Sequence, residues 1–420
     1  MNLPDRISSF AFSRTVAPGD RRVGIEIENL LYTEDLNRLR VNPEKGYSAT
    51  DLLKEILKYS ADDEDYSLEP GGQLEWASPP HSNLHELAKA FHTHQERLDK
   101  ISQNRRLKTL CFGIDPTHEP EEIDLIHQTK YQLMDRHLEK VGTLGRWMMR
   151  NSSSIQMNFD IVDEKDAGEI LFISDALQPV AAYLFANSPF WKRECAGDRN
   201  LRYEIWEATD PKRCRNLIDQ GLSQLKNIVP GFIDYIQTVP GIFQLDESGQ
   251  PEETKGTLGD RLMRLEQEGA LNDMHIQGAL RQIFTNVRLK SFVEVRGADR
   301  TPAGFEMAPV AFWTGLLTSE ETREKVLEEV VTWSVEERHA WNKAAFRLDS
   351  TQKGLKGKNY GEWNCWAAGL ALEGLKTRGL GEESLLEPFF AAARIPFALQ
   401  TQTKFKESGK TLSDFLSKQA

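Results

Sequence analysis

Four short segments of this chain place a polar side chain at every second position, between apolar ones; they are residues 23–28, 73–76, 155–160 and 287–296. Their polar positions include four carboxylates, Glu26, Glu28, Glu75 and Glu294. Because side chains alternate across a β-strand, each segment would have one apolar face and one polar face. If the four strands share one sheet, these carboxylates lie on one common surface.

Crowded carboxylates repel each other unless they are protonated, reach water or are offset by cations. Carboxylate and amide oxygens are typical ligands of Mg²⁺ or Mn²⁺, and Mg²⁺ usually takes phosphate oxygens as further ligands. The same polar positions supply two amides and three cations that could contact phosphates: Gln156, Asn158, Arg288, Lys290 and Arg296. The pattern therefore predicts a metal–nucleotide site on an open sheet. The alternative is a solvated sheet face without a ligand.

The turn before the second segment supports the metal–nucleotide interpretation. Gly71 and Gly72 precede Glu75 in the sequence EPGGQLE, residues 69–75. Paired glycines permit positive φ and close backbone approach just before a carboxylate-bearing strand.

The elements that would position these residues indicate an α+β fold. Alternating strands are typical of an antiparallel sheet covered by helices on one side, whereas a buried parallel sheet would show continuous apolar runs. Apolar residues at helical spacing predict helices over about 82–101, 166–187, 318–347 and 361–378. The patterns GxxxxGK[ST], GxGxxG and HExxH are absent from the sequence, which argues against the common phosphate loops and a zinc-protease helix.

Composition narrows the class of protein. Of 420 residues, 39% are hydrophobic and 28% are charged, as in ordinary globular proteins. The net charge of −12 argues against a general nucleic-acid or anionic-membrane binder. The N-terminus has no apolar signal segment, no membrane-spanning run occurs, and the four cysteines are widely spaced without a CxxC pair. We therefore expect a cytoplasmic protein with reduced thiols.

Six segments of the chain resemble glutamate–cysteine ligase of the plant and proteobacterial type. They are GIEIE (24–28), LEPGGQLE (68–75), MMRNSSSIQMNFD (148–160), LFANSPF (184–190), LRYEIWEATDP (201–211) and VRLKSFVEVRGAD (287–299). The resemblance covers roughly residues 20–316 and is most specific in LEPGGQLE and VEVRGAD. The region of Asn151 and the segment EPGGQLE also resemble the actinobacterial ligases of the ergothioneine branch.

The resemblance implies a fold and a reaction. The fold is a curved antiparallel sheet forming an open cup with helices on its outer face, similar to the catalytic domain of glutamine synthetase. Residues 1–420 would be a single catalytic domain, with a mostly helical C-terminal part at about 318–420 packed on it. In the reaction, ATP phosphorylates the γ-carboxylate of glutamate, and the amine of cysteine then displaces phosphate to give γ-glutamylcysteine. That product would lead to glutathione or a related thiol.

The resemblance also implies roles for individual residues. Two or three Mg²⁺ ions, or Mn²⁺, would be bound by Glu26, Glu28, Glu75 and Glu294, with Glu69 and Gln156 as further candidates. Arg202 would hold the glutamate α-carboxylate, with Trp206 and Arg150 beside the substrate. The co-substrate ATP would be contacted by Asn158, Arg288, Lys290 and Arg296, and the catalytic residues would be Arg296, Glu75 and Glu294.

The chain departs from the family pattern at a few positions. Gln156 stands where some relatives have a metal-ligating histidine, Ile27 where many have histidine, and Asn151 where plant relatives have arginine. The cysteines do not reproduce the regulatory disulfides of the plant enzymes, so control by that route is not expected.

The sequence leaves alternative functions open. The same activation could serve a different amine acceptor, or the sheet could belong to a guanidino-type phosphotransferase. A catalytically silent binding protein is a third alternative, but it would have no physical reason to keep such crowded carboxylates. The expected partners are the small molecules glutamate, cysteine and ATP, with no nucleic acid and no membrane, and the expected assembly is a monomer or a homodimer.

Overall fold

A computed structural model describes residues 2–44, 46–246 and 249–419. Its strands are β1 (Val23–Thr33), β2 (Asp65–Leu68), β3 (Leu74–Ala77), β4 (Leu107–Leu110), β5 (Ser154–Phe159), β6 (Phe190–Trp191), β7 (Glu194–Cys195), β8 (Phe243–Leu245), β9 (Pro251–Glu253), β10 (Val287–Leu289) and β11 (Val293–Asp299). Its α-helices are α1 (Leu3–Ala11), α2 (Ala49–Ile56), α3 (Leu84–Arg105), α4 (Thr129–Val141), α5 (Gly145–Asn151), α6 (Glu164–Leu184), α7 (Leu201–Glu207), α8 (Ile228–Thr238), α9 (Leu258–Gln267), α10 (Asp273–Leu280), α11 (Ala308–Thr318), α12 (Glu320–Val330), α13 (Val335–Ala344), α14 (Tyr360–Arg378), α15 (Glu387–Ala392), α16 (Phe397–Ser408) and α17 (Leu412–Leu416).

Seven of these strands form one antiparallel sheet in the order β10–β11–β5–β1–β3–β2, with β4 paired to the second half of β1. The sheet is open, since β10 and β2 are not paired with each other. The alternating strands predicted from the sequence therefore do lie side by side, and the predicted α+β class is confirmed.

The apolar side chains of the sheet form one face of the main core. Ile25, Ile27, Met157 and Val293 are all fully buried, and α6 and α11 pack against the strands on this side. Helices α12, α13 and α14 then pack on α6, α11 or both. This layering leaves the opposite face of the sheet to its polar side chains.

Two predicted elements differ from the structure. Residues 287–296 are not one strand but the hairpin β10–β11, so their polar side chains face one another across the pair. The predicted helix over 318–347 is two helices, because the Ser334 side chain caps a new helix by accepting from the backbone N–H of Glu337. The helix predicted at 361–378 is confirmed as α14, and Gly379 ends it in the left-handed conformation.

Every helix of the described ranges is too short or too polar to span a bilayer.

Candidate active site

The polar positions of neighbouring strands lie directly opposite one another and form one continuous face. From the β10 edge inwards, the opposed pairs are Arg288–Glu294, Glu294–Asn158, Gln156–Glu26 and Glu28–Glu75. The register therefore orders the face by charge. Cations lie on or next to β10 and β11, together with Glu294; amides lie on β5, and the other carboxylates lie on β1 and β3.

The two amides of β5 connect the carboxylates to the cationic side. Gln156 donates from Nε2 to Glu28 Oε1 at 3.0 Å, and its own carbonyl oxygen accepts from Arg296 Nη1. Asn158 donates from Nδ2 to Glu26 Oε1 at 2.9 Å. Both side chains thus orient the glutamates of β1, and in this structure they act as hydrogen-bonding neighbours of the carboxylates.

Burial and mutual repulsion raise the pKa of three carboxylates on this face. Burial and the charge of Glu69 raise the pKa of Glu28 to about 7. Burial, followed by the charges of Glu26, Glu69 and Glu28, raises the pKa of Glu75 well above its usual value. Burial also raises the pKa of Glu69, and the negative charge of Glu26 acts in the same direction. These couplings bring Glu69, from the turn between β2 and β3, into the same group.

Glu294 has the opposite environment, although its side chain is fully buried too. Burial opposes its ionisation, but the charges of Arg288, Lys290 and Arg296 hold the pKa of Glu294 well below its usual value. Arg288 and Arg296 contact Oε2 at 2.6 and 2.9 Å, and Lys290 contacts Oε1 at 2.6 Å. Both oxygens of Glu294 are therefore engaged by cations, whereas Glu75 forms no ion pair among the described residues and accepts from Ser67 Oγ at 2.9 Å.

The donor chemistry of the carboxylate group fits Mg²⁺ or Mn²⁺. Glu26, Glu28, Glu69 and Glu75 are hard oxygen donors whose repulsion a divalent cation would relieve. In the described part of the chain, however, no three His, Cys, Asp or Glu side chains are arranged closely enough to form an ion-binding cluster. The individual ligand assignments, that of Glu294 included, and the number of ions stay predictions.

A small cavity beside the carboxylates is lined by Arg202, Trp206 and Arg296. The two guanidinium carbons lie 5.6 and 5.8 Å from the Trp206 ring centroid. Burial lowers the pKa of Arg202, and the charges of Asp299 and Glu28 act in the other direction. Arg202 is 4% exposed, and among the described residues it forms no ion pair. A buried guanidinium in this state favours an anionic ligand.

The structure does not bring Arg150 into this group. Its guanidinium contacts Asp135 at 2.6 Å and donates to the carbonyls of Pro120 and Ile123. The neighbouring Asn151 donates to the carbonyl of His118. The expected place of Arg150 beside the substrate stays a prediction; its hydrogen bonds here hold α5 against α4 and the 120–123 segment.

Sequence reasoning missed Lys130, which lies at the start of α4. Burial lowers the pKa of Lys130, while the charges of Glu69 and Glu75 act in the other direction. Arg38 was missed as well, although it holds the turn that carries Glu69. In the sequence, Lys130 is a single basic residue outside the alternating segments, which is too common a feature to identify a site.

Taken with the fold, this face sets a group of crowded carboxylates beside a cluster of basic side chains on one open antiparallel sheet. The chain belongs to glutamate–cysteine ligase family 2, whose family model matches residues 22–388. The family resemblance inferred from the sequence is thereby confirmed.

Individual relatives agree with this assignment. The chain is 32% identical to the chloroplastic glutamate–cysteine ligase of Medicago truncatula, over 76% of this chain and 63% of that protein. It is 33% identical to the chloroplastic glutamate–cysteine ligase of Arabidopsis thaliana, over 65% of this chain and 52% of that protein. The chain therefore spans between about half and two thirds of the length of these curated relatives.

A solved structure shares the fold. The crystal structure of a glutamate–cysteine ligase from Francisella tularensis in complex with AMP matches with a TM-score of 0.62 at 13% identity, covering 95% of this chain and 87% of that chain. At this identity the match shows a common architecture of helices and open sheet.

Proposed function

We propose that this chain is an ATP-dependent glutamate–cysteine ligase. It would join the γ-carboxylate of L-glutamate to the amine of L-cysteine through a γ-glutamyl phosphate intermediate, releasing ADP and phosphate. Family membership supports this proposal, and so does the chemistry available on the polar face of the sheet.

The observation that carries the proposal is the division of one face into an anionic and a cationic half. Glu28 and Glu75 lie opposite each other on β1 and β3, whereas Arg288 and Lys290 lie on or just after β10. Phosphoryl transfer needs in-line positioning and charge neutralisation rather than covalent help from the protein. Carboxylates that can hold divalent cations, next to basic side chains that can hold phosphate, meet both needs.

In the first half-reaction, an oxygen of the substrate γ-carboxylate attacks the γ-phosphorus of ATP, and ADP leaves with the electrons of the broken P–O bond. Glu26, Glu28, Glu69 and Glu75 would hold Mg²⁺, which would neutralise negative charge on the phosphates and the γ-carboxylate. Arg296 lies between Glu294, Gln156 and the Trp206 ring. From there its guanidinium would stabilise charge on the transferring phosphoryl group.

In the second half-reaction, the neutral amine of cysteine attacks the γ-carbonyl carbon. The C–O bond to phosphate breaks, phosphate leaves with the bonding electrons, and the amine gives up a proton. A carboxylate alone would not release oxide at neutral pH, which explains why phosphorylation comes first. Arg202 would pair with the α-carboxylate, since its planar fork matches a carboxylate bidentately. That pairing would leave the γ-carboxylate to be phosphorylated.

The test is a product assay with purified protein, Mg-ATP, glutamate and cysteine. We expect ADP, phosphate and γ-glutamylcysteine in equal amounts. The matched control replaces cysteine by N-acetylcysteine, which keeps the thiol and lacks the free amine, and should give no amide. Amide formation with another amine in preference to cysteine would change the acceptor assignment. Transfer of phosphate to a guanidine without amide formation would refute the ligase.

A further inference from the structure

The turn that brings Glu69 into the carboxylate group is a tight one. Gly72 has a φ of +79°, a conformation that favours glycine. The backbone N–H of Gly72 donates to the carbonyl of Glu69 at 2.8 Å, and the N–H of Glu69 donates to the carbonyl of Gln73 at 2.9 Å. The Glu69 backbone is therefore fixed by the turn, but these bonds alone do not fix the turn relative to β1 or β5.

A buried arginine from a different segment holds this turn. Arg38 lies in the loop after β1 and is 8% exposed. Its Nη2 donates to the carbonyl of Gly71 at 2.9 Å, and its Nη1 donates to Asp115 Oδ2 at 3.0 Å. Nη1 also lies 3.3 Å from the carbonyl of Arg150 at the end of α5. One guanidinium thus connects the turn, the end of α5 and the 115–118 loop.

Asp115 keeps that guanidinium in place. Burial opposes the ionisation of its carboxyl group, but hydrogen bonds from His118 and the charge of Arg38 hold the pKa of Asp115 below its usual range. Its Oδ1 accepts from the backbone N–H groups of Thr117 and His118, both at 2.8 Å. Oδ2 is left for Arg38, so the ion pair has one well-defined orientation.

Close packing makes the position of the turn sensitive to this contact. A Cβ atom on Gly71 would lie 2.4 Å from the carbonyl oxygen of Arg150, so the turn touches the α5 backbone directly. Gln73, the next residue but one, donates from Nε2 to the carbonyl of Ser152 at 2.8 Å. Arg38 and Gln73 therefore fasten both sides of the turn to the α5–β5 junction, from which β5 and its amides extend.

We propose that Arg38, oriented by Asp115, is a positioning residue that fixes the Glu69 turn so that Glu69 joins the other carboxylates in binding a divalent cation. The inference rests on the proposed function, because it assigns Glu69 to the metal-binding group. Arg38 itself touches neither metal nor substrate. Its contribution is to hold one carboxylate in place before the cation arrives, so that less ordering remains to be done on binding.

The experiment measures Mn²⁺ binding to the 420-residue protein by electron paramagnetic resonance, without ATP or amino acids. Arg38→Lys keeps the charge but loses the fork that reaches three acceptors. We expect it to raise the Mn²⁺ Kd about tenfold, the lower end of the effect of losing a residue that orients a metal ligand. Asp115→Asn keeps the size of the side chain, provides a second variant if Arg38→Lys does not fold, and should act in the same direction.

Two comparisons separate positioning from general stability. Arg338 is also buried, at 2% exposed, and pairs with the buried Asp175 on the helical side of the molecule. Arg338→Lys should lower the melting temperature and leave the Mn²⁺ Kd within about twofold, since it lies outside the polar face. In a Glu69→Gln background, Arg38→Lys should have no further effect on Mn²⁺ affinity, because the residue through which it acts is already gone.

The inference is overturned if folded Arg38→Lys and Asp115→Asn bind Mn²⁺ as the wild type does, or if Arg338→Lys weakens binding equally. It is also overturned if the effect of Arg38→Lys persists in full without the Glu69 carboxylate, or if the wild type does not bind Mn²⁺. A lack of γ-glutamylcysteine formation with these Mn²⁺ results intact would instead refute the proposed function and leave the role of Arg38 standing.

Discussion

The raised pKa of Glu28 predicts that the metal-free protein becomes less stable as the pH rises. Burial and the charge of Glu69 raise this pKa from 4.5 to about 7. The folded state therefore binds more protons than the unfolded state between these two values, and stability falls with pH across that window. Below about pH 4.5 the effect is absent, and above about pH 7 it is complete.

The magnitude follows from the size of the shift. At about 1.4 kcal/mol per pH unit, the raised pKa of Glu28 lowers the free energy of unfolding by about 1 kcal/mol at pH 5 and by about 3 kcal/mol at pH 8. Glu28→Gln removes this penalty and keeps an oxygen that can accept from Gln156. The variant should therefore exceed the wild type in free energy of unfolding by up to about 3 kcal/mol at pH 8, and by about 1 kcal/mol at pH 5.

Urea titrations in EDTA at pH 5 and pH 8 measure this difference. Glu407→Gln is the matched control: it changes an exposed glutamate of α16 and should leave the free energy of unfolding within about 0.5 kcal/mol at both pH values. A Glu28→Gln variant that is less stable than the wild type at pH 8 would refute the reasoning. It would show that the ionised Glu28 is stabilised by its surroundings, so that no cation is needed to offset it.

Three further outcomes follow from the same face. Glu294→Gln should lower the free energy of unfolding by about 3 kcal/mol, because it leaves three cations without their buried counter-ion. Urea titration measures this change beside that of Glu28→Gln, which should be an increase, and an unchanged free energy of unfolding in Glu294→Gln would contradict the prediction. Mg²⁺ should raise the melting temperature of the wild type but not of Glu75→Gln, as calorimetry would show; an equal rise in both would remove Glu75 from the metal-binding group. Arg202→Ala should raise the KM for glutamate far more than the KM for cysteine, and steady-state kinetics with the reverse pattern would move Arg202 to the other substrate.

The sequence could predict which residues share the polar face because the two-residue period of a strand fixes the face of every side chain. For this reason the sequence assigns Glu26, Glu28 and Glu75 to the polar face of their strands. This alternation does not fix the register between strands, since a shift by two residues keeps the same face. That Glu28 lies opposite Glu75, and Glu26 opposite Gln156, could be learned only from the folded sheet.

The contacts of Glu294 could not be predicted from the sequence for a related reason. Treating 287–296 as one strand puts Arg288, Lys290 and Glu294 on one face without saying which of them meet. The turn between β10 and β11 folds the segment back on itself, so Arg288 lies opposite Glu294. Arg38 and Lys130 lie on a loop and a helix outside the alternating segments, where spacing carries no information about the sheet.

The strand order arranges the side chains of the polar face by charge, from a cationic side to an anionic side. The residue types alone do not show this arrangement. Three cations and Glu294 occupy the β10–β11 side, two neutral amides follow on β5, and Glu26, Glu28 and Glu75 occupy β1 and β3. A phosphate chain carrying divalent cations has matching polarity, since its free oxygens prefer the cationic side and its metals prefer the carboxylates. Among the described strands, β5 lies between the cationic side and the carboxylates, so a ligand that makes both contacts would lie along β5. The buried Arg202 beside Arg296 offers a second anion contact. Under the proposed function, it would hold one carboxylate of a substrate that carries two, while the other carboxylate is phosphorylated.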